Sequence, residues 1–190
     1  MSDKAARKRQ YIIDTAKTVF ADKGFKSVTM KDIVEACDIS RGGLYIYFDS
    51  TESIFNEIIS EAAKQSIESV TGKTAGDKLA FFLNEQKKEI LSKDKSLATA
   101  LYEYLFYMQS IGNSDNAAAD AFHMGLDTIE AIIREGVESG EFYADDVHTI
   151  ALNIMYLMEG LKIAARTTGV SEKDIDSQLI FILGSLIAEE

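Results

Sequence analysis

Ser40, Arg41, Gly42, Gly43, Leu44, Tyr45, Ile46 and Tyr47 follow one another in the run ISRGGLYIYF, and their types suit contact with a polyanion. An arginine presents a fixed fork of donors to phosphate or to a base edge, and a tyrosine hydroxyl can donate to a phosphate oxygen. Two adjacent glycines in a helix cost about 1 kcal/mol each against alanine, so close approach of backbone to an outside surface is a reason for their presence. Leu44 and Phe48 lie four apart and face inward in a helix opened by Ser40. That leaves Arg41, Gly42, Tyr45, Ile46 and Tyr47 nearer the outside. For Tyr45 and Tyr47, packing against neighbouring helices competes with contact to a partner.

The elements that must hold this run are legible on either side of it. Thr29 is a good N-cap and Asp32, three residues on, suits the positive end of a helix. Ile33, Val34 and Ala36 supply that helix's apolar side, Cys37, Asp38 and Ile39 break it, and Ser40 caps the next. Thr29 to Glu52 therefore reads as a capped helix, a tight turn, a second short helix and the cap of a third, the outline of a helix-turn-helix that reads DNA. Capped helix pairs also occur in proteins that bind no DNA, so periodicity alone leaves both readings open. Upstream, a helix from about Lys8 to Asp22 buries Ile12, Ala16, Val19 and Phe20 and ends at Gly24.

On these residues the chain resembles the tetracycline-repressor (TetR) family of bacterial one-component regulators. The resemblance runs from about Arg9 to Phe55, through IIDTAKTVFADKGF, TMKDIV, ISRGGLYIYF and STESIF. It implies that Lys31 contacts phosphate, that Ser40, Arg41, Gly42, Gly43, Tyr45, Ile46 and Tyr47 reach bases or backbone, and that Thr51 stands near phosphate at the fourth helix. Two positions depart from the family pattern. Asp38 occupies a place where a turn glycine is common, which aspartate tolerates better than most residues. Thr51 replaces a lysine that often holds phosphate, a change expected to weaken binding.

Charge is divided along the chain. The formal net charge is −11, yet residues 1–31 carry +5 and residues 51–190 carry −13. Such a chain attracts DNA at one end and repels it at the other, which orients docking; for the acidic part, solubility is the simpler explanation. The N-terminus is polar and basic rather than signal-like, and no run of about eighteen apolar residues occurs, so a cytoplasmic protein is expected. The single Cys37 permits no internal disulfide and reads as a small buried residue near a helix end. With only His123 and His148, no glycine-rich phosphate loop after a strand and no helically spaced metal ligands, the expectation is no enzyme, no metal and no cofactor.

The chain has no proline and no alternating strand pattern, which predicts an all-α protein of about nine helices. A three-helix head over residues 1–50 is expected to join a helical ligand-binding and dimerisation domain over 51–190, with helix 51–70 as the connector. That connector holds Ile54, Ile58, Ala62 and Ile67 inward. A fifth helix carries Leu79, Phe82 and Leu83, and a sixth, Ser96 to Ile111, is apolar almost all round and so buried on several sides. A seventh, Asp115 to Ser139, spaces Phe122, Leu126, Ile129, Ile133 and Val137 helically and stops at Gly140. The eighth, Asp145 to Thr168, carries Ile150, Ile154, Leu157 and Leu161, with Ala151, Met155 and Met158 beside them. The ninth, Ser171 to Ala188, presents Leu179, Ile180, Phe181, Ile182 and Leu183 in a row. A terminal helix apolar on nearly every side calls for a partner, and the resemblance implies a homodimer through helices near 145–168 and 171–188.

Tyr102, Glu103, Phe106, Tyr107, His123, Met155, Met158 and Glu159 are the candidate effector residues, because aromatics and methionines with few polar groups suit an apolar pocket. Core packing is the competing reading for each. Glu103 and Glu159, if buried, need a partner: a cationic ligand, Arg166 or a tyrosine hydroxyl. The resemblance thus implies a regulator, a repressor that binds double-stranded, palindromic operator DNA and is released by a small, mostly apolar effector. A protein of the same fold that answers to a protein partner, or that organises DNA, is the alternative.

Overall fold

A computed structural model describes residues 3–92, 97–114 and 116–187, and every regular element among them is a helix. In chain order these are α1 (Asp3–Lys23), α2 (Met30–Cys37), α3 (Arg41–Tyr45), α4 (Thr51–Glu68), α5 (Ala75–Leu91), α6 (Ala98–Ser110), α7 (Ala117–Ser139), α8 (Val147–Arg166) and α9 (Glu172–Ser185). Ser96, Asp115 and Ala188, the expected limits of the sixth, seventh and ninth helices, lie outside the described residues.

With no proline to interrupt them, the helices end where caps end them. Thr29, Thr74, Asp146 and Ser171 each accept the backbone N–H of the residue three further on, a bond that stabilises a helix start by about 1 kcal/mol. Gly24 closes α1 at φ 77° and Gly140 closes α7 at φ 77°, a left-handed conformation that costs a β-carbon dearly. α1 starts five residues earlier than the apolar spacing indicates. An Asp3–Arg7 pair at 2.7 Å, one turn apart, supports this polar first turn.

The helices form two compact units. The first comprises Met1–Ala62 with Asp94–Ala121, and the second Ala63–Lys93 with Phe122–Glu190. In the first, Phe20, Phe25, Phe55 and Tyr104 make a continuous aromatic cluster with successive ring centroids 4.8–5.3 Å apart. α6, expected to group with the C-terminal helices, therefore packs in the unit that holds the head. Its Tyr104 and Met108 are buried there, while Phe106 on its other side is 66% exposed. Tyr104 donates its hydroxyl to Asn56 Oδ1. Burial first, then the charges of Glu52 and Asp120, push this phenol up to about 12.

Two inward positions differ from expectation in this unit. On α2 Cys37, one turn after Ile33, is buried as expected, whereas Ala36, expected on the apolar side, is exposed. On α1 Ile13 joins Ile12, Ala16 and Phe20 in the core, leaving Val19 half-buried. In each case the buried set keeps the helical repeat, and one expected member lies nearer the surface.

The second unit packs α5 against α8 and α9. Leu79, Leu83, Ile129, Ile133, Ala151, Ile154, Met158 and Ile175 are almost wholly buried in its core. Ile132 is buried on α7, whereas Val137, expected inward, is exposed. α9 turns Ile175, Leu179 and Ile182 to the core and leaves Ile180 and Phe181 outside at 69% and 74% exposure. Arg166 of α8 donates to the carbonyls of Glu89, Ile90 and Ser92 at 3.3–3.5 Å, binding acceptors at the end of α5.

Candidate nucleic-acid interface

Local rules build the α2–turn–α3 segment almost completely. Thr29 Oγ1 accepts the Asp32 N–H at 3.3 Å while the Asp32 carboxylate accepts the Thr29 N–H at 2.8 Å, a reciprocal capping box. Lys23 Nζ lies 2.5 Å from the same carboxylate, and this bond, more than those from Thr29, holds Asp32 well below the usual carboxylate range. The turn between the helices rests on Asp38 at φ 50° and ψ 49°, the left-handed conformation that glycine often supplies. Its N–H bonds back to α2, and Ile39 N–H donates to Val34 O at 3.3 Å.

Ser40 then caps α3 by accepting the Gly43 N–H at 3.1 Å. The helical turn continues through Phe48, whose N–H donates to Leu44 O, and Leu44 and Phe48 are buried as the spacing predicts. Outside, Arg41 is exposed with its guanidinium 5.5 Å from the centre of the Tyr45 ring, Tyr45 is 43% exposed and Ile46 is 79% exposed. Tyr47 is half-buried and packs against the head's core, so of the two tyrosines only Tyr45 is fully outward.

The two glycines play different parts. A β-carbon on Gly43 would lie 3.1 Å from Ser40 Oγ, a close contact to which the capping side chain would have to give way. A β-carbon on Gly42 would meet nothing within 4 Å. Nothing among the described residues demands glycine at position 42.

The flanks complete the surface. Lys31 is exposed on the first turn of α2, 3.6 Å from Glu35. Ser50 and Ser53 cap the start of α4 reciprocally, with backbone-to-hydroxyl bonds of 3.3 and 3.0 Å, and Thr51 between them is half-buried. An open cleft of about 370 Å³ lies beside the end of α3, lined by residues that include Arg9, Tyr45, Ile46, Phe48 and Glu57. Arg9 bonds to Glu57 at 2.9 Å and lies over the Phe48 ring at 4.8 Å, fixing α1 to α4 behind α3. No local pattern announces a pair forty-eight residues apart, and the sequence reading missed it.

The eight candidate effector residues fall into two sets, one in each unit. In the first, Tyr102 and Tyr107 are half-buried, Phe106 is exposed, and Tyr107 lies 5.7 Å from the Phe25 ring. Glu103 accepts the Lys26 N–H at 3.0 Å and sits over Gly24, where a β-carbon would meet its Oε2 at 2.6 Å. Its partner is backbone rather than a side chain. In the second, His123 is exposed beside Phe122, and Met155 and Met158 belong to the core. Glu159 is half-buried with Lys162 Nζ at 3.4 Å, so Arg166, one of the partners considered for these acids, serves the end of α5 instead.

Comparison with known proteins places this geometry. Residues 12–58 match the family model described as bacterial regulatory proteins, tetR family, and residues 78–176 match the tetracyclin repressor-like C-terminal domain. The chain is 28% identical over 160 residues to the HTH-type transcriptional regulator YfiR of Bacillus subtilis, covering 82% of this chain and 78% of that protein. Over 58 residues, 30% of this chain and 28% of the relative, it is 41% identical to the HTH-type transcriptional repressor KstR2 of Rhodococcus jostii. The transcriptional regulator FadR of Bacillus subtilis, solved in complex with stearoyl-CoA, shares the fold with a TM-score of 0.72 at 21% identity, over 93% of this chain and 98% of that one.

Proposed function

The chain belongs to the TetR family of DNA-binding transcriptional regulators, and from that premise we propose that it is a homodimeric repressor of a near-palindromic operator, released by a small, mostly apolar effector. The observation that carries the reading is the outward face of α3: Arg41, Gly42, Tyr45 and Ile46 stand exposed on a helix whose other side is locked by Leu44 and Phe48. A rigid helix with a free polar and aromatic edge is what major-groove reading needs. In this reading residues 1–50 are the head, and Lys31, Ser40, Arg41, Gly42, Gly43, Tyr45, Ile46, Tyr47 and Thr51 contact the duplex. Residues 51–190 dimerise and sense, and the protein works in the cytoplasm.

Apolar residues left in water support the dimer. Tyr156 and Ile163 on α8, Ile180 and Phe181 on α9 and Ile187 just beyond it are each 46–74% exposed. Covering such residues with a second copy removes apolar area from water and is the main favourable term in association. Two heads then meet half-sites about 34–36 Å apart, one duplex turn. An effector that binds one arrangement of the dimer better shifts the population toward it and changes that separation. His123, Met155, Met158 and Glu159 in one unit, and Tyr102, Glu103, Phe106 and Tyr107 in the other, are the residues to test for effector response.

The burial of Met155 and Met158 favours a second reading, in which the core is fully packed and a protein partner supplies the signal. Selection of bound fragments from the source genome tests the main proposal. An enriched near-palindrome is the expected result, with Arg41→Ala abolishing selection while leaving the oligomeric state unchanged. Failure of the wild-type protein to enrich any sequence, or retention of tight specific binding by Arg41→Ala, removes the proposal.

A further inference from the structure

We infer that Lys8, on α1 and outside the helix-turn-helix, is a further DNA-backbone contact of this head. The inference rests on the DNA-binding reading above and adds to it a residue that the family motifs leave aside. Three basic residues stand in a row on α1, and the structure sorts them. Arg7 is paired with Asp3 at 2.7 Å, and Arg9 is held by Glu57 at 2.9 Å and by the Phe48 ring. Lys8 lies between them, exposed, and no carboxylate among the described residues pairs with it.

Its position is what matters. A β-carbon built on Gly43 would lie 4.0 Å from Lys8 Nζ and 3.1 Å from Ser40 Oγ, so the ammonium stands beside the start of α3. A second exposed lysine, Lys4, precedes it by one helical turn and therefore shares its side of α1. Arg9 is thus committed to the fold and Arg7 shares its charge with Asp3 at the surface, while a lysine edge remains next to the residues that would face the duplex. An ammonium in that place, without an internal counter-charge, neutralises a phosphate and releases a condensed counterion when DNA docks. Contact of this kind positions the protein without reading sequence, so its loss weakens binding to all duplexes alike. Nothing in the linear sequence separates Lys8 from the other basic residues of the first thirty-one. The fold does.

The test is a salt titration of full-length protein on its selected operator duplex, read by fluorescence anisotropy from about 0.05 to 0.3 M KCl. Lys8→Ala is expected to reduce the slope of log affinity against log salt by roughly 0.9 for each head engaged, and so by about 1.8 for a dimer on two half-sites. Lys8→Arg should restore the wild-type slope. Lys17→Ala is the control: nine residues on, at about 100° per residue, it lies on the opposite side of α1, and it should leave the slope unchanged. A wild-type slope in Lys8→Ala, or an equal fall in Lys17→Ala that reduces the effect to net charge, overturns the inference and leaves the DNA-binding reading standing. Absence of any selected duplex for the wild-type protein removes both. Thermal melting of each variant confirms that the fold is intact, as expected for side chains that are exposed.

Discussion

Asp38 is the residue at which local strain and family departure coincide. It holds φ 50° without glycine's freedom, and left-handed backbone costs an L-residue roughly 1–2 kcal/mol, less for aspartate, whose side chain can bond locally. Asp38→Gly is therefore expected to be neutral or to stabilise by up to about 1 kcal/mol, and Asp38→Val to destabilise by about 1–2 kcal/mol, both measured by chemical denaturation. The turn would not be strained if Asp38→Val matched the wild-type protein. Thr51 is the other departure. It sits half-buried at the start of α4 between the paired serines, so Thr51→Lys should extend an ammonium from that position and steepen the salt dependence of operator binding by roughly 0.9 for each phosphate it neutralises. An unchanged slope would show that no phosphate passes within its reach. Both positions were visible in the sequence because they concern backbone conformation and residue type at one place in a motif.

The start of α2 shows how an element is secured at its ends. Asp32 joins the Thr29 cap to Lys23 of α1, and both bonds favour the carboxylate, so its folded pKa lies below the unfolded value. A depressed carboxylate contributes stability that is fully present above its unfolded pKa, about 3.9, and lost as pH falls through the folded one. Asp32→Asn should consequently melt at a lower temperature than the wild-type protein at pH 7, with the gap narrowing below about pH 4. A gap independent of pH would assign the loss to cap geometry rather than to charge. The threonine and aspartate of this cap are close in sequence and were read there. Lys23 belongs to another helix, and its part depends on how α1 and α2 cross.

For the molecule as a whole, the exposed apolar residues of α8 and α9 bear on assembly. Phe181, 74% exposed, is not part of the second unit's core, so Phe181→Glu should leave the monomer folded and shift the sedimentation profile from dimer to monomer at micromolar concentration. Persistence of the dimer in that variant would exclude this part of α9 from the interface. Operator affinity should fall when dimerisation is lost, since two tethered heads raise each other's effective concentration at the half-sites.

By itself the sequence determined the elements and the identity of the head. Helix periods, N-caps, positive-φ glycines and the ISRGGLYIYF run depend on neighbours within about one turn, and they located each of the described helices. That Ala36 and Val137 turn outward while Ile13 and Ile132 turn inward was settled by the surfaces each helix meets. The tertiary structure alone decided that α6 shares the head's aromatic core, that Glu103 bonds to the backbone of Lys26, that Arg9 is committed to Glu57, and that Lys8 comes to stand beside Gly43. The last three pairs lie 35 to 77 residues apart, and only the packing of whole helices fixes distances of that kind.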